Sequence, residues 1–153
     1  CGFSGKTVEF LDSKIDSLYR IYPADIVLLH AGGNHFAEEK PVNGMIAAYQ
    51  SIIQKIRNIN AKAYILLAKV IPNGKLPKYA YIPELNKRIE ELVNQLDNDH
   101  VILVDQATGF DWRTNTVADK VHPNKAGAER MATVWIEALK KILLPPKATF
   151  QLK

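Results

Sequence analysis

Asp25-Ile26-Val27-Leu28-Leu29-His30-Ala31 is the stretch that decides the fold class of this 153-residue chain. Its central residues are apolar at every position, whereas a strand with one face in water alternates apolar with polar residues. Strands buried on both faces belong to parallel sheets with helices on each side. The runs 63–70 and 101–104 have the same character, so we predict three parallel strands.

Segments with apolar residues at helical spacing separate these strands. In the first segment, Pro23 closes an apolar stripe formed by Val8, Leu11, Ile15, Leu18 and Tyr22. The other segments span residues 43–58, 82–96 and 125–143, and the last one begins after Asn124 and ends at Pro145-Pro146. Alternating helices and buried strands predict an open α/β sandwich. We expect it to form a single domain over residues 1–153.

The composition disfavours several classes of function. Apolar residues make up 47% of the chain, enough for the core of one globular domain. The net charge of +4 is spread over helix faces that also carry acids, which disfavours nucleic-acid binding. The apolar runs are strand-sized, so we predict neither a membrane-spanning helix nor a signal peptide. A single cysteine, Cys1, excludes an internal disulfide and leaves the cellular compartment open.

The segment from Asp119 to Asn124, Asp-Lys-Val-His-Pro-Asn, is the strongest candidate for catalytic chemistry. A carboxylate three residues before an imidazole can accept the Nδ1 proton of His122 and leave Nε2 free to act as a base. Pro123 stiffens the backbone that follows, and Asn124 is a good N-cap for the last helix. An Asp and a His near a helix start are also common as plain capping residues, so the pair alone does not establish catalysis.

Two loops at the same edge of the predicted sheet add candidate oxyanion donors. In open α/β sheets, ligands bind beyond the carboxyl ends of the strands. Gly32 and Gly33 allow a tight turn after the first strand that brings Asn34 to the rim, where its side-chain N–H can stabilise an oxyanion. The backbone amide of Gly5 precedes the first helix, whose N-terminus favours negative charge.

Together, Gly5 in Ser-Gly-Lys-Thr, Asn34 in His-Ala-Gly-Gly-Asn-His and the Asp119-x-x-His122-Pro-Asn run resemble sequence blocks of the SGNH hydrolases, also called GDSL-type esterases and lipases. The resemblance covers essentially the whole chain. It implies a flavodoxin-like three-layer α/β/α sandwich, with five parallel strands in the complete domain. It also implies a serine ester hydrolase in which His122 is the base, Asp119 its orienting acid, and Gly5 and Asn34 the oxyanion donors. His35 stands where the family usually has an aspartate.

The family's Gly-Asp-Ser block, which carries the nucleophilic serine, has no match in this chain. We therefore expect the strand and turn with the serine, its helix and a second strand to precede Cys1, on the order of 40 to 60 residues. This segment, in the same or a separate chain, is a predicted partner. Without it, a three-strand sheet would expose strand edges and apolar faces. The implied reaction needs no metal or cofactor.

Three other interpretations remain open from the sequence. Gly5-Lys6-Thr7 matches the end of a phosphate-binding loop, although the next strand ends in His30-Ala31 rather than in an acid that can hold Mg²⁺. His30 and His35 flank the glycine turn, but no cysteine or carboxylate cluster completes a metal site. A chain that truly lacks its serine would be a noncatalytic binding domain, since Ser4 occupies the family's glycine block and not the nucleophile turn.

The sequence says little about the substrate beyond its being an ester. The resemblance spans acetyl esterases of polysaccharides, lysophospholipases, thioesterases and aryl esterases. We expect the loops 36–42 and 72–81 to shape the pocket, with Tyr79 and Trp112 as candidate substrate contacts. Both aromatic residues are equally compatible with simple packing. Among these classes, we favour an ester of a small acyl group with a carbohydrate.

Overall fold

The computed structural model describes residues 2–144. Cys1 and residues 145–153, including the Pro145-Pro146 pair predicted to end the last helix, lie outside the described residues. Within residues 2–144, no helix combines the length and the apolar character needed to cross a membrane. The elements in chain order are α1 (Val8–Ile21), β1 (Ile26–Leu29), a 3₁₀ turn (Ala37–Glu39), α2 (Val42–Ile59), β2 (Tyr64–Ala68), α3 (Ile82–Leu96), β3 (Val101–Val104), α4 (Trp112–Asn115) and α5 (Lys125–Leu143).

The three strands form one parallel sheet in the order β1-β2-β3. The register aligns Leu28 with Leu66, and Leu66 with Ile102. Parallel neighbours need a long crossover connection, which α2 supplies between β1 and β2 and α3 supplies between β2 and β3. The predicted α/β fold, with a parallel sheet flanked by helices, is confirmed.

The sheet separates two apolar clusters. Successive side chains of a strand point to opposite faces, and β2 shows the division most clearly. Ile65 and Leu67 belong to the larger cluster with residues of α1, α2 and α3, whereas Leu66 and Ala68 belong to the smaller cluster with α5. These four side chains are fully buried. This explains why the strand is apolar at each of these positions.

β1 lies at an edge of the sheet, and one of its faces is partly open. Leu28 is 45% exposed although it lies inside the strand. The helix on this face, within the described part of the chain, is α5, and its buried Ala138 clusters with Leu66, Ala68 and Val104. The exposure of Leu28 agrees with the expectation that a three-strand sheet leaves strand edges and apolar faces open.

The apolar stripe predicted for α1 is also wrong in one place. Tyr22 is 67% exposed, and Tyr19 is buried instead. The helix ends at Ile21, and Tyr22 has non-helical backbone angles as its C-cap, so the helical spacing stops before it. The Tyr19 hydroxyl donates a hydrogen bond to the Ala24 carbonyl and so ties the end of α1 to the segment before β1.

Candidate active site

Asp119 and His122 form a hydrogen-bonded pair in the loop before α5. Asp119 Oδ2 lies 2.5 Å from His122 Nδ1. An ionised carboxylate only accepts hydrogen bonds, so Nδ1 carries the proton, and in the neutral ring Nε2 is unprotonated. The imidazole is 77% exposed. The ring is thus held at one nitrogen and accessible at the other.

The geometry of this loop makes Asp119 a stronger acid. The hydrogen bond from the His122 side chain, followed by those from the His122 and Val121 backbone amides, lowers the pKa of Asp119 to about 2. The two amides donate to Oδ1 at 3.0 and 2.8 Å. All three bonds favour the charged form of the carboxyl group. Asp119 is therefore an anion at neutral pH.

Two contacts fix the loop that carries His122 to neighbouring segments. Thr116 and Pro123 form an isolated antiparallel bridge. Asn124 caps α5, as predicted, because its Oδ1 accepts a hydrogen bond from the Gly127 amide at 3.0 Å. The other end of the Asn124 side chain donates to the Thr116 carbonyl at 3.1 Å. One side chain therefore starts the helix and fixes the loop that carries His122.

Asn34 lies in the turn after β1 and is tied to the segment before α1. Its Nδ2 donates to the carbonyl of Lys6 at 3.0 Å. A side-chain amide nitrogen carries two hydrogens, so one remains for a ligand. Gly5, next to Lys6, has a φ of +67°, and its amide donates no hydrogen bond within residues 2–144. The two predicted oxyanion donors thus lie on adjoining segments.

The turn that presents Asn34 depends on Gly32. Its φ is +103°, and a Cβ there would lie 2.9 Å from Met45 Cε and 3.0 Å from Tyr49 Oη. Tyr49 also donates a hydrogen bond to the Ala31 carbonyl at 2.8 Å. Burial raises the pKa of Tyr49, which keeps the hydroxyl protonated as a donor. Met45 and Tyr49 therefore pack directly against the turn, and position 32 needs a residue without a side chain.

His122 and Asn34 line the same cavity, whose volume is about 370 Å³. The cavity lies beyond the carboxyl ends of β1 and β2, where ligands bind in open α/β sheets. Its apolar wall is formed by Phe3, Leu11, Val70, Ile71, Val121 and Met131. The structure therefore brings the candidate base and one candidate oxyanion donor to a single opening.

His30 also lines the cavity. In the sequence it stands out only together with His35, as a possible metal site. It follows β1 directly, and its Nε2 is buried without a hydrogen-bond partner in the part of the chain that is described. Burial lowers the pKa of His30, so the neutral ring is favoured. His35 belongs to a different environment, because its Nε2 lies 2.7 Å from Glu9 Oε2. Among residues 2–144, no group of three or more candidate metal ligands occurs.

The two aromatic residues predicted to contact substrate are absent from the lining of this cavity. Tyr79 is 7% exposed, and its ring packs edge-on against Tyr81 with the centroids 6.3 Å apart. Trp112 begins α4, and Gly74 lies so close that a Cβ there would be 2.4 Å from its ring. The guanidinium of Arg113 lies 4.5 Å from the Trp112 ring centroid. Both rings thus contact other residues of the protein, and their contact with substrate stays a prediction.

The arrangement of these segments corresponds to a known family. The model of the GDSL-like Lipase/Acylhydrolase family matches residues 1–130, a range that includes Gly5, Asn34, Asp119 and His122. The chain belongs to this family. The resemblance drawn from the sequence blocks is thereby confirmed. The phosphate-binding interpretation of Gly5-Lys6-Thr7 gains no support from it.

The chain is also similar to a curated protein, a multidomain esterase from Ruminococcus flavefaciens. It is 26% identical over 137 residues, which cover 80% of this chain and 16% of that protein. The chain therefore corresponds to a small part of the relative's length.

Solved structures of esterases share the fold. A carbohydrate esterase family 3 protein from Talaromyces cellulolyticus has a TM-score of 0.84 at 23% identity, with 92% of this chain and 70% of that chain covered. The Clostridium thermocellum family 3 carbohydrate esterase has a TM-score of 0.73 at 25% identity, with the same coverage of 92% and 70%. This chain thus shares its fold with solved carbohydrate esterases.

Proposed function

We propose that this chain supplies the base and the oxyanion-binding groups of a serine-dependent carboxylic ester hydrolase. In this scheme His122 is the general base and Asp119 orients it. The Asn34 side chain and the Gly5 amide hold the oxyanion. Membership of a lipase and acylhydrolase family supports ester hydrolysis as the class of reaction. The scheme uses no metal or cofactor.

One observation carries the proposal: His122 and Asn34 line the same cavity. His122 can accept a proton there, and Asn34 can donate a hydrogen bond. The 2.5 Å contact between His122 Nδ1 and Asp119 selects the tautomer in which Nε2 can take a proton. Asn34 keeps one amide hydrogen after its bond to Lys6, so a donor is in place before any substrate arrives. Preorganised donors of this kind are effective because they need no rearrangement when charge develops.

The reaction proceeds in two acyl-transfer steps. A serine hydroxyl attacks the ester carbonyl carbon while His122 Nε2 takes its proton. The carbonyl oxygen becomes an oxyanion, which the N–H groups of Asn34 and Gly5 stabilise. The tetrahedral intermediate then collapses, the alcohol leaves with the proton from His122, and an acyl-enzyme remains. Water, deprotonated by the same imidazole, releases the acid and restores the serine.

We place the nucleophilic serine on a strand that pairs with the free edge of β1. In the described residues, β1 pairs with β2 alone, and Leu28 is 45% exposed on the open face. A further strand with its own helix would pair the free edge and bury Leu28. Its carboxyl end would then lie beside that of β1, where it delivers a side chain to the cavity.

The proposed substrate class is an ester of a small acyl group with a carbohydrate. Its support comes from the relatives, since both solved structures described above are carbohydrate esterases. Among the described aromatic residues, Phe3 lines this cavity and is 38% exposed, whereas Trp112 and Tyr79 contact the protein instead.

The test starts with the protein expressed from its full reading frame. Intact mass and N-terminal sequencing define the chain or chains that contain residues 1–153. A fluorophosphonate probe, which reacts with activated serines, is then applied to the wild type and to His122→Ala. We expect the label on a serine outside residues 1–153, with labelling lost in His122→Ala. A folded protein that takes up no label and hydrolyses no acetyl ester would be a noncatalytic binding domain, contrary to the proposal.

A further inference from the structure

His35 and Glu9 form a contact that the scheme above leaves without a role. The His35 side chain is 6% exposed, and its Nε2 lies 2.7 Å from Glu9 Oε2. An ionised carboxylate only accepts hydrogen bonds, so Nε2 is the donor. His35 Nδ1 is buried without a partner in the described residues. The contact with Glu9 is therefore the hydrogen bond that holds this buried ring.

This contact joins the same two chain segments as the hydrogen bond of Asn34. Asn34 reaches Lys6 across 28 positions of sequence, and His35 reaches Glu9 across 26. Gly5 stands immediately before Lys6, and Glu9 lies in the first turn of α1. The two bonds thus run side by side between the turn after β1 and the start of α1. These segments carry the two proposed oxyanion donors.

A third element fixes the backbone of the same turn. The His35 amide donates to the Tyr81 hydroxyl at 3.2 Å, and that hydroxyl donates to the Gly32 carbonyl at 2.7 Å. Burial raises the pKa of Tyr81 to about 12, so the hydroxyl remains a donor at neutral pH. Tyr81 closes the turn on itself but does not connect it to α1. Glu9 makes that connection.

We infer that Glu9 and His35 are positioning residues for the oxyanion hole: their hydrogen bond sets the distance between the Asn34 side chain and the Gly5 amide. Asn34 is exposed, so water competes for its bond to Lys6, and that bond alone fixes the side chain poorly. The His35 ring is shielded from water and adjacent in sequence. It therefore supplies the rigidity that Asn34 lacks.

The inference rests on the proposed function, because it takes Asn34 and Gly5 as the oxyanion donors. It goes further in assigning a purpose to His35, which stands where the resemblance leads one to expect an aspartate. An imidazole is longer than a carboxymethyl group, and here it reaches a carboxylate on α1. The charge that the family usually places in the turn itself is supplied in this chain by Glu9.

The test compares two changes at one position with a matched control. Glu9→Ala removes the acceptor, whereas Glu9→Gln keeps an oxygen that can accept from His35 Nε2. Asp12→Ala is the control, because Asp12 also lies on α1 and its Oδ1 accepts from Lys55 Nζ at 2.8 Å. Each variant is made in the protein expressed from the full reading frame, which is expected to contain the nucleophilic serine. Its kcat and KM on p-nitrophenyl acetate are measured, and its thermal unfolding is recorded.

We expect Glu9→Ala to lower kcat roughly ten- to hundredfold, with KM changed by no more than about twofold, since misplaced donors act on the transition state. Glu9→Gln is expected to recover most of the loss, and Asp12→Ala to leave kcat unchanged. Glu9→Ala added to Asn34→Ala should cause no further loss, because both act through one donor. Additive losses, or a Glu9→Gln variant as impaired as Glu9→Ala, would overturn the inference.

A second readout separates this inference from the proposed function. If the wild type hydrolyses no ester, the catalytic proposal fails, and the positioning of Asn34 is then measured by the NMR signals of its side-chain amide. Glu9→Ala should shift or broaden these signals, while Asp12→Ala and Glu9→Gln should leave them near their wild-type positions. Signals that stay unmoved in Glu9→Ala would show that His35 and Glu9 do not hold Asn34.

Discussion

Asp119 holds both the side chain and the backbone of His122. Its Oδ2 lies 2.5 Å from the imidazole Nδ1, and its Oδ1 accepts a hydrogen bond from the His122 amide at 3.0 Å. One carboxylate therefore fixes the rotation of the ring, its tautomer and the turn on which it stands. The geometry that the proposed base needs is therefore set within this loop.

Replacing Asp119 should impair catalysis more than folding. In Asp119→Asn the amide oxygen can still accept from the Val121 and His122 backbone amides, which turns the NH2 group toward Nδ1 and favours the wrong tautomer. We expect kcat to fall roughly 10²–10⁴-fold, the range of general-base contributions. Ester hydrolysis by the purified variant measures this. Asp99→Asn, an exposed change in the loop before β3, is the control and should keep wild-type activity. An active Asp119→Asn variant would remove Asp119 from the mechanism.

The acidity of Asp119 can be measured without any catalysis. Its pKa of about 2 lies below the ordinary value of 3.8. Because the folded pKa is depressed, the stabilisation from the ionised group is complete above the unfolded value and is lost as the pH falls through the folded one. A carboxyl ¹³C NMR titration should therefore show Asp119 still ionised at about pH 3. His122→Ala should move the midpoint up, and a wild-type midpoint near the ordinary value would contradict the geometry.

We expect Asn34 to contribute to kcat through its side-chain N–H donor and not through its size. Asn34→Ala and Asn34→Asp both remove the amide hydrogens, and loss of one oxyanion donor typically lowers kcat about 10²–10³-fold. Asn34→Asp nearly preserves the shape, so a loss in both variants points to the missing donor. Steady-state kinetics and an unchanged unfolding midpoint would together establish this. A folded Asn34→Asp variant with wild-type kcat would exclude Asn34 from the oxyanion hole.

Much of the fold was predictable because periodicity reports burial directly. The bounds of α3 and β3 agree with prediction, since their apolar residues coincide with the buried ones. β1 was predicted too long, because His30 and Ala31 continue the apolar run without joining the strand ladder. The apolar pattern of β1 does not itself show that Leu28 is exposed; that exposure agrees with the expectation that a three-strand sheet leaves apolar faces open. The hydrophobic pattern of a strand is the same whether or not another element covers a given leucine.

The site was predictable where its residues are close in sequence or follow the carboxyl ends of parallel strands, as Asn34 does, and not where a contact depends on the reach of two distant side chains. Asp119 and His122 are three positions apart, so their contact follows from local geometry. Glu9 and His35 are 26 positions apart, and no sequence motif predicts that they are in contact. An aromatic residue in a loop, such as Tyr79, gives the same sequence signal whether it packs inward or faces a ligand.

The open face of β1 should respond to charge if another segment covers it. Leu28→Asp would place a carboxylate on that face, where burial of an unpaired charge is costly. In the protein from the full reading frame, we expect its thermal unfolding midpoint to fall by several degrees. Leu76→Asp, at a residue that is 66% exposed in a loop, should leave the midpoint nearly unchanged. Equal midpoints would mean that Leu28 faces water in the complete protein.

The two adjacent glycines of the turn should differ sharply in their tolerance of alanine. Gly32 has a φ of +103°, and a Cβ there would lie 2.9 Å from Met45 Cε, 3.0 Å from Tyr49 Oη and 3.1 Å from Leu85 Cδ2. A Cβ at Gly33 meets nothing within 4 Å, and its φ is not in the left-handed region. Gly32→Ala therefore suffers both backbone strain and overpacking.

We expect Gly32→Ala to destabilise the protein by about 1–3 kcal/mol, the usual cost of forcing a methyl group into a packed core. Gly33→Ala should be neutral. Thermal or urea unfolding compares the two variants directly, and it needs no knowledge of the substrate. Since Asn34 follows these glycines, any Gly32→Ala protein that folds should also lose ester hydrolysis through displacement of the Asn34 amide. Equal stability of the two variants would show that the turn relaxes around the added methyl group.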